Sequence, residues 1–134
     1  MPPSLRVLVV EDYEPFRRFL SCLLQAVPGL QIVGEVSDGL EAVRQTEGLQ
    51  PDLILLDIGL PTLNGIEAAR RIRRLAPEST ILFVSQESSA DVIDEALSLG
   101  AIGYVVKARA GSELLAAVEA ARHKRLFNSR GFCQ

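Results

Sequence analysis

The stretch Asp52-Leu53-Ile54-Leu55-Leu56-Asp57-Ile58-Gly59-Leu60-Pro61 decides how this chain folds. Apolar residues run without a break into one carboxylate, and a Gly and a Pro then stop the run. A short continuous apolar run is expected of a strand covered on both faces. It delivers Asp57 to the strand's carboxyl end, the edge outside which open α/β sheets bind their ligands.

Outward from there, the same punctuation repeats. Leu5 to Val10 reads as strand one and stops at Glu11-Asp12. Phe16, Phe19, Leu20, Leu23, Leu24 and Val27 follow helical spacing, with Pro15 in the first turn and Pro28-Gly29 at the end. This pattern also places Cys22 inside a helix, where it reads as a core thiol. Leu30 to Val36 is strand two, and Asp38-Gly39-Leu40-Glu41 opens a helix to about Gly48. After strand three, Asn64 caps a helix with Glu67 three residues on, and Ile66, Ala69 and Ile72 form its inner stripe. Thr80 to Val84 is strand four, ending at Ser85. Ser88 or Ser89 starts a helix carrying Val92, Ile93, Ala96 and Leu97 inward, and Gly100 ends it. Ile102 to Val106 is strand five, ending at Lys107. Leu114, Leu115, Val118 and Ala121 line a last helix to about His123. Five strands alternating with five helices mean a parallel sheet with helices on both faces. Residues 1–123 read as one domain, and 124–134 as a C-terminal tail or the start of a linker.

The composition suits that fold. The chain has 134 residues, 48% of them apolar, and no Trp, so aliphatic side chains fill the core. A net charge of −3 argues against nucleic-acid contact by this segment. No stretch approaches the length of a membrane span and no signal peptide is visible. Cys22 and Cys133 have no metal or redox spacing. The expectation is a cytoplasmic location. Arg70, Arg71, Arg73 and Arg74 read as a solvated face, and the single histidine, His123, as a cation suited to a helix end.

Parallel strands end on one edge, so Glu11, Asp12, Asp57, Ser85 and Lys107 converge around one crevice. Three packed carboxylates disfavour one another's ionised forms, and a divalent cation relieves that. Oxygen donors without His or Cys favour Mg²⁺. A carboxylate such as Asp57 can act as nucleophile and form an aspartyl phosphate. Lys107 and the Ser85 hydroxyl would meet the phosphoryl oxygens.

These residues resemble the receiver domain of two-component response regulators. The resemblance rests on Glu11-Asp12 after strand one, Asp57 with Pro61 and Gly65 behind it, Ser85 after strand four, and Tyr104 with Lys107 on strand five. It covers about residues 5 to 123 and implies the flavodoxin-like order 2-1-3-4-5 seen in the chemotaxis receiver. It also implies roles for these residues. Asp57 would accept a phosphoryl group from a sensor histidine kinase or phosphotransfer protein. Asp12, Asp57 and the Gly59 carbonyl would hold Mg²⁺ with Glu11 beside them. Ser85 and Lys107 would contact the phosphoryl group, and Tyr104 would turn inward as a switch. A homodimer through helix four, strand five and helix five is a further expectation. The segment Gly103-Tyr104-Val105-Val106-Lys107 without a following Pro is similar to receivers fused to LuxR-type helix-turn-helix output domains.

Three positions depart from the common receiver pattern. Ala108 follows Lys107 where many receivers have Pro, leaving the isomer of that bond open. Gln86 follows Ser85 where a small residue is usual. Gly59 offers no side chain two residues after Asp57. A small aspartyl-nucleophile phosphatase is the rival enzyme, but it wants an acid at position 59. A nucleotide or flavin module wants a phosphate-cradling loop after strand one, where Glu11-Asp12-Tyr13-Glu14 is acidic. A degenerate receiver acting as a protein-binding module is a third alternative. Taken singly, Ser85 reads as a helix cap, Lys107 as a surface lysine and Tyr104 as strand packing.

Overall fold

The computed structural model describes residues 4–128. In chain order the elements are β1 (Leu5–Val10), α1 (Glu14–Gln25), β2 (Leu30–Val36), α2 (Gly39–Leu49), β3 (Leu53–Leu56), α3 (Gly65–Leu75), β4 (Thr80–Ser85), α4 (Ala90–Ser98), β5 (Gly103–Val106), α5 (Ala110–Arg122) and β6 (Phe127–Asn128). One 3₁₀ turn, Lys107–Arg109, joins β5 to α5. All sheet pairs are parallel, in the order β2-β1-β3-β4-β5-β6. The five-stranded order implied by the resemblance is present, with β6 added at the β5 edge.

Alternation along the buried strands builds two cores. Leu8, Val10, Ile54, Leu56, Ile81 and Phe83 face one way, towards Ala42, Ile66, Ile72 and Ile93 of α2, α3 and α4. Val7, Val9, Leu53, Leu55, Leu82 and Val84 face the other, towards Leu20 and Leu24 of α1 and Leu114 and Val118 of α5. Both faces of β3 are therefore apolar, which explains its unbroken hydrophobic run. Burying each such side chain contributes about 1.5–3 kcal/mol.

The helix starts follow the expected chemistry. Asp38, Asn64 and Ser89 each accept a hydrogen bond from the backbone amide three residues on, covering one of the unpaired donors of a first turn. Ser89, not Ser88, is the α4 cap.

Three expectations need correction. Cys22 is exposed and not in the core. It lies two residues from both Leu20 and Leu24, and residues two apart on a helix do not share a face. Phe19 and Leu115 are also largely outside, at 41% and 46% exposure, because the stripes run through Leu20 and Leu24 and through Leu114, Ala117 and Val118. On α4, Ile93 and Ala96 are buried and half-buried Leu97 packs against the same core as expected, while Val92 is only half-buried. Beyond α5 the chain adds the short strand β6. Lys124 takes a positive φ of 58°, which turns the chain back so that Phe127 N donates to Ile102 O at 3.0 Å. Gly103 permits this approach, since a Cβ there would overlap the Phe127 carbonyl oxygen. Cys133 and the rest of the tail lie outside the described residues.

Gly65 is the glycine on which the end of β3 depends. Its amide donates to Ile58 O at 2.8 Å, and a Cβ there would overlap the Asp57 carbonyl oxygen. Because the obstacle is backbone, it cannot swing aside. Gly65→Ala is expected to destabilise the fold by about 1–3 kcal/mol, as overpacking does, read as a lower urea midpoint in equilibrium unfolding.

Candidate functional site

Strand register sets the site. Val10 pairs with Leu56, so Glu11 and Asp57 leave the sheet side by side. Their amides continue the ladder: Glu11 N donates to Val36 O at 3.0 Å and Asp57 N to Val10 O at 3.2 Å. Ser85 pairs with Val106, so Lys107 follows one step further out. Glu11 and Asp57 are buried, and Asp12 is exposed at the rim.

Lys107 ties the two buried carboxylates together. Its Nζ donates to Glu11 Oε2 at 3.0 Å and to Asp57 Oδ2 at 3.1 Å. Tyr13 N donates to Glu11 Oε2 at 3.0 Å, and Ile58 N donates to Asp57 Oδ1 at 2.7 Å. The ammonium also sits 4.9 Å from the centre of the Phe16 ring, a cation–π contact. Phe16 thus serves the site as well as the half-buried side of α1. A cleft of about 460 Å³ opens above, lined by Asp12, Tyr13, Phe16, Asp57, Gly59, Gln86, Glu87 and Lys107.

The charges do not balance within this group. One carboxylate oxygen from each of Glu11, Asp12 and Asp57 lies within 4.8 Å of the others. Burial pushes the Glu11 carboxyl above its ordinary range; the Lys107 and Tyr13 hydrogen bonds oppose that shift, and the Asp57 charge adds to it. Burial acts on Lys107 in the opposite sense, but hydrogen bonds and charge from Glu11 and Asp57 outweigh it and hold the ammonium above its usual value. Glu11 Oε1 is buried, lies 2.9 Å from Lys107 Nζ, and accepts no directed hydrogen bond. A buried carboxylate oxygen that accepts no directed hydrogen bond, in a trio of carboxylates sharing one ammonium, fits a small divalent cation.

Ser85 and Tyr104 sit behind the cleft. The Ser85 hydroxyl accepts from Glu87 N at 3.3 Å. Tyr104 is completely buried, and its hydroxyl donates to Glu87 O at 2.8 Å. Its ring lies 6.1 Å from that of Phe83. Burial raises its pKa, the Ser85 hydrogen bond opposes this, and the charges of Glu87 and Asp57 add to it. Tyr104 therefore already points inward. No cis peptide occurs among the described residues, so the Lys107–Ala108 bond is trans.

Sequence reading brought Glu11, Asp12, Asp57, Ser85 and Lys107 to one edge, and the structure places them there, with Gly59 lining the same cleft. It missed Glu87, whose hydrogen bonds to Ser85 and Tyr104 are made by its backbone amide and carbonyl, groups that almost any residue would supply. It also missed Thr62 in the loop after Asp57. Thr62 has a φ of 65°, a region that costs L-residues about 1–2 kcal/mol.

Fold and site define a doubly wound parallel α/β module with an acidic, lysine-bridged cleft at its carboxyl edge. The profile of the response regulator receiver domain matches residues 7–119, and the chain belongs to that family. It is 34% identical over 117 residues to the transcriptional regulatory protein LiaR of Bacillus subtilis, covering 87% of this chain and 56% of that protein. It is 41% identical over 104 residues to a protein-glutamate methylesterase/protein-glutamine glutaminase of Thermotoga maritima, covering 77% of this chain and 30% of that one. A two-component response regulator of the LuxR family from Aurantimonas superposes with a TM-score of 0.88 at 32% identity, over 92% of this chain and 89% of that one. The chain thus spans about half of one of these curated relatives and a third of the other.

The raised pKa values of Lys107 and Tyr104 fix the sign of an alkaline effect. The stability each contributes is complete below its ordinary value, 10.5 or 10.0, and is lost as the pH rises through the higher folded-state value. Urea unfolding through the alkaline range is expected to show stability falling with pH. Lys107→Met and Tyr104→Phe should each flatten that fall, and an unchanged slope in both would contradict the assignment.

Proposed function

We propose that Asp57 accepts a phosphoryl group from a phosphohistidine on a sensor histidine kinase or phosphotransfer protein. The observation that carries this reading is the pair of buried carboxylates, Glu11 and Asp57, sharing one ammonium beside exposed Asp12. An Asp57 carboxylate oxygen attacks phosphorus. The new O–P bond forms as the P–N bond to the donor imidazole breaks, and the imidazole leaves with the bonding pair. Asp57 is held for this by the Ile58 amide on one oxygen, while Lys107 touches the other. Lys107 exchanges part of its carboxylate contact for a phosphoryl oxygen, and Ser85 donates to another. Asp12, Asp57 and the Gly59 carbonyl, with Glu11 beside them, would hold Mg²⁺, which when bound neutralises charge on the transferring group.

The output is a change of the face formed by α4, β5 and α5, with Tyr104 beneath it. Typical coupling between two such sites is about 1–3 kcal/mol. A homodimer through this face, a receiver over residues 1–123 with a tail from 124, and a cytoplasmic location belong to the same reading. LiaR's description as a transcriptional regulator favours transcription as the output of a longer protein. The methylesterase relative carries the same domain beside an enzyme, so the receiver itself does not specify the output. Gly59 in place of an acid counts against the phosphatase alternative. The intact Glu11, Asp12, Asp57 and Lys107 count against a degenerate receiver.

Incubation with Mg²⁺ and acetyl phosphate or phosphoramidate, followed by intact mass measurement, is expected to give one phosphate-sized gain. Asp57→Asn should abolish it, and a folded, Mg²⁺-binding chain that gains nothing from either donor would sink the reading. Gln86 lines the cleft where a small residue is usual. Gln86→Ala is therefore expected to change the rate of phosphorylation or dephosphorylation with a small donor, and unchanged rates of both would remove that role.

A further inference from the structure

Between Asp57 and α3 the chain passes through residues 58–64, and this loop carries Gly59 at the rim of the cleft. Gly59 is exposed and has no side chain to anchor it. Its neighbours Ile58 and Leu60 pack against the core, and the loop is fastened again further on, at Thr62. Thr62 holds a φ of 65°, a conformation that β-branched residues avoid. Its hydroxyl donates to Asp38 Oδ1 at 3.1 Å and accepts from Leu40 N at 3.2 Å. Beside it, Gly39 N donates to Pro61 O at 3.1 Å.

Leu40 and Glu41 lie in the first turn of α2, where backbone amides have no carbonyl within the helix. Asp38 already caps that turn by accepting from Glu41 N at 2.8 Å. The helix therefore has an internal cap without Thr62. What the added bonds fix is the loop, in a backbone conformation that persists only because the surroundings determine it.

We propose that Thr62 is a positioning residue of the acidic site. Through Asp38 and Leu40 it pins the loop to the amino end of α2, so that the Gly59 carbonyl stays at the rim beside Asp12 and Asp57. This rests on the reading in which that carbonyl takes part in holding Mg²⁺. Thr62 touches no reacting atom and acts only through the loop.

The test compares the parent chain with Thr62→Gly, Thr62→Ala and Thr62→Ser. Three quantities are measured: Mg²⁺ affinity by calorimetry, thermal unfolding, and amide hydrogen exchange over residues 58–64 in metal-free protein. Thr62→Gly removes the hydroxyl and the strain together. It is expected to bind Mg²⁺ about tenfold more weakly, the lower range for an outer-shell metal contact, with an unchanged or higher Tm and faster exchange in the loop. Thr62→Ser keeps the hydroxyl and should match the parent in affinity. Equal affinity in the Gly variant and the parent overturns the proposal, as does an equal loss in the Ser variant. If the Gly variant fails to fold, the Ala and Ser variants decide by the same criteria. A folded parent that binds no Mg²⁺ overturns the underlying phosphoacceptor reading, and unchanged loop exchange in the variants then overturns the clamp on its own.

Discussion

The ammonium of Lys107 has two buried carboxylates to neutralise, Glu11 and Asp57, and only one positive charge to do it with. Burial makes this imbalance matter, because the same charges in water would be screened. The group is therefore stable enough to be held by the sheet and still short of one cation. Everything around it preserves that condition. The ladder bonds of Glu11 and Asp57 fix the spacing, the Ile58 amide fixes one Asp57 oxygen, and the Phe16 ring covers the ammonium.

Two levels of structure meet at this point. The apolar alternation that builds the two cores also sets how far each strand runs before its first polar residue. Leu56 and Val10 are the last buried apolar residues of their strands, and the acids follow at once. Shifting the β1–β3 pairing by one residue would exchange the faces of every side chain and separate Glu11 from Asp57. The hydrophobic pattern and the geometry of the acidic cleft are thus one constraint.

Most of this was legible in the sequence, because it depends on where apolar runs stop. Asp57 after Leu56, Ser85 after Val84 and Lys107 after Val106 are readable as strand ends. Asp38, Asn64 and Ser89 are readable as caps because their chemistry is local. What was not legible depends on long-range backbone contacts. Thr62 looks like an ordinary loop residue until the amino end of α2, 22 positions earlier, comes beside it. Glu87 contributes a carbonyl, which has no residue signature. Phe19 stands next to Leu20 and Leu115 next to Leu114, and Cys22 lies between Leu20 and Leu24; apolar neighbours along the chain compete for the core, and packing selects the winner.

The short strand at Phe127–Asn128 alters the route of the chain. A helix that follows β5 runs back across the sheet, and by Arg122 the backbone has returned to the edge opposite Asp57. Because β6 is parallel to β5, the turn at Lys124 reverses that direction. At Asn128 the backbone is again heading for the edge that holds Asp57 and Lys107. Asn128 stops level with Tyr104, so β6 lies along the outer side of the strand that carries the buried tyrosine and leaves the end of that strand, at Lys107, uncovered by it.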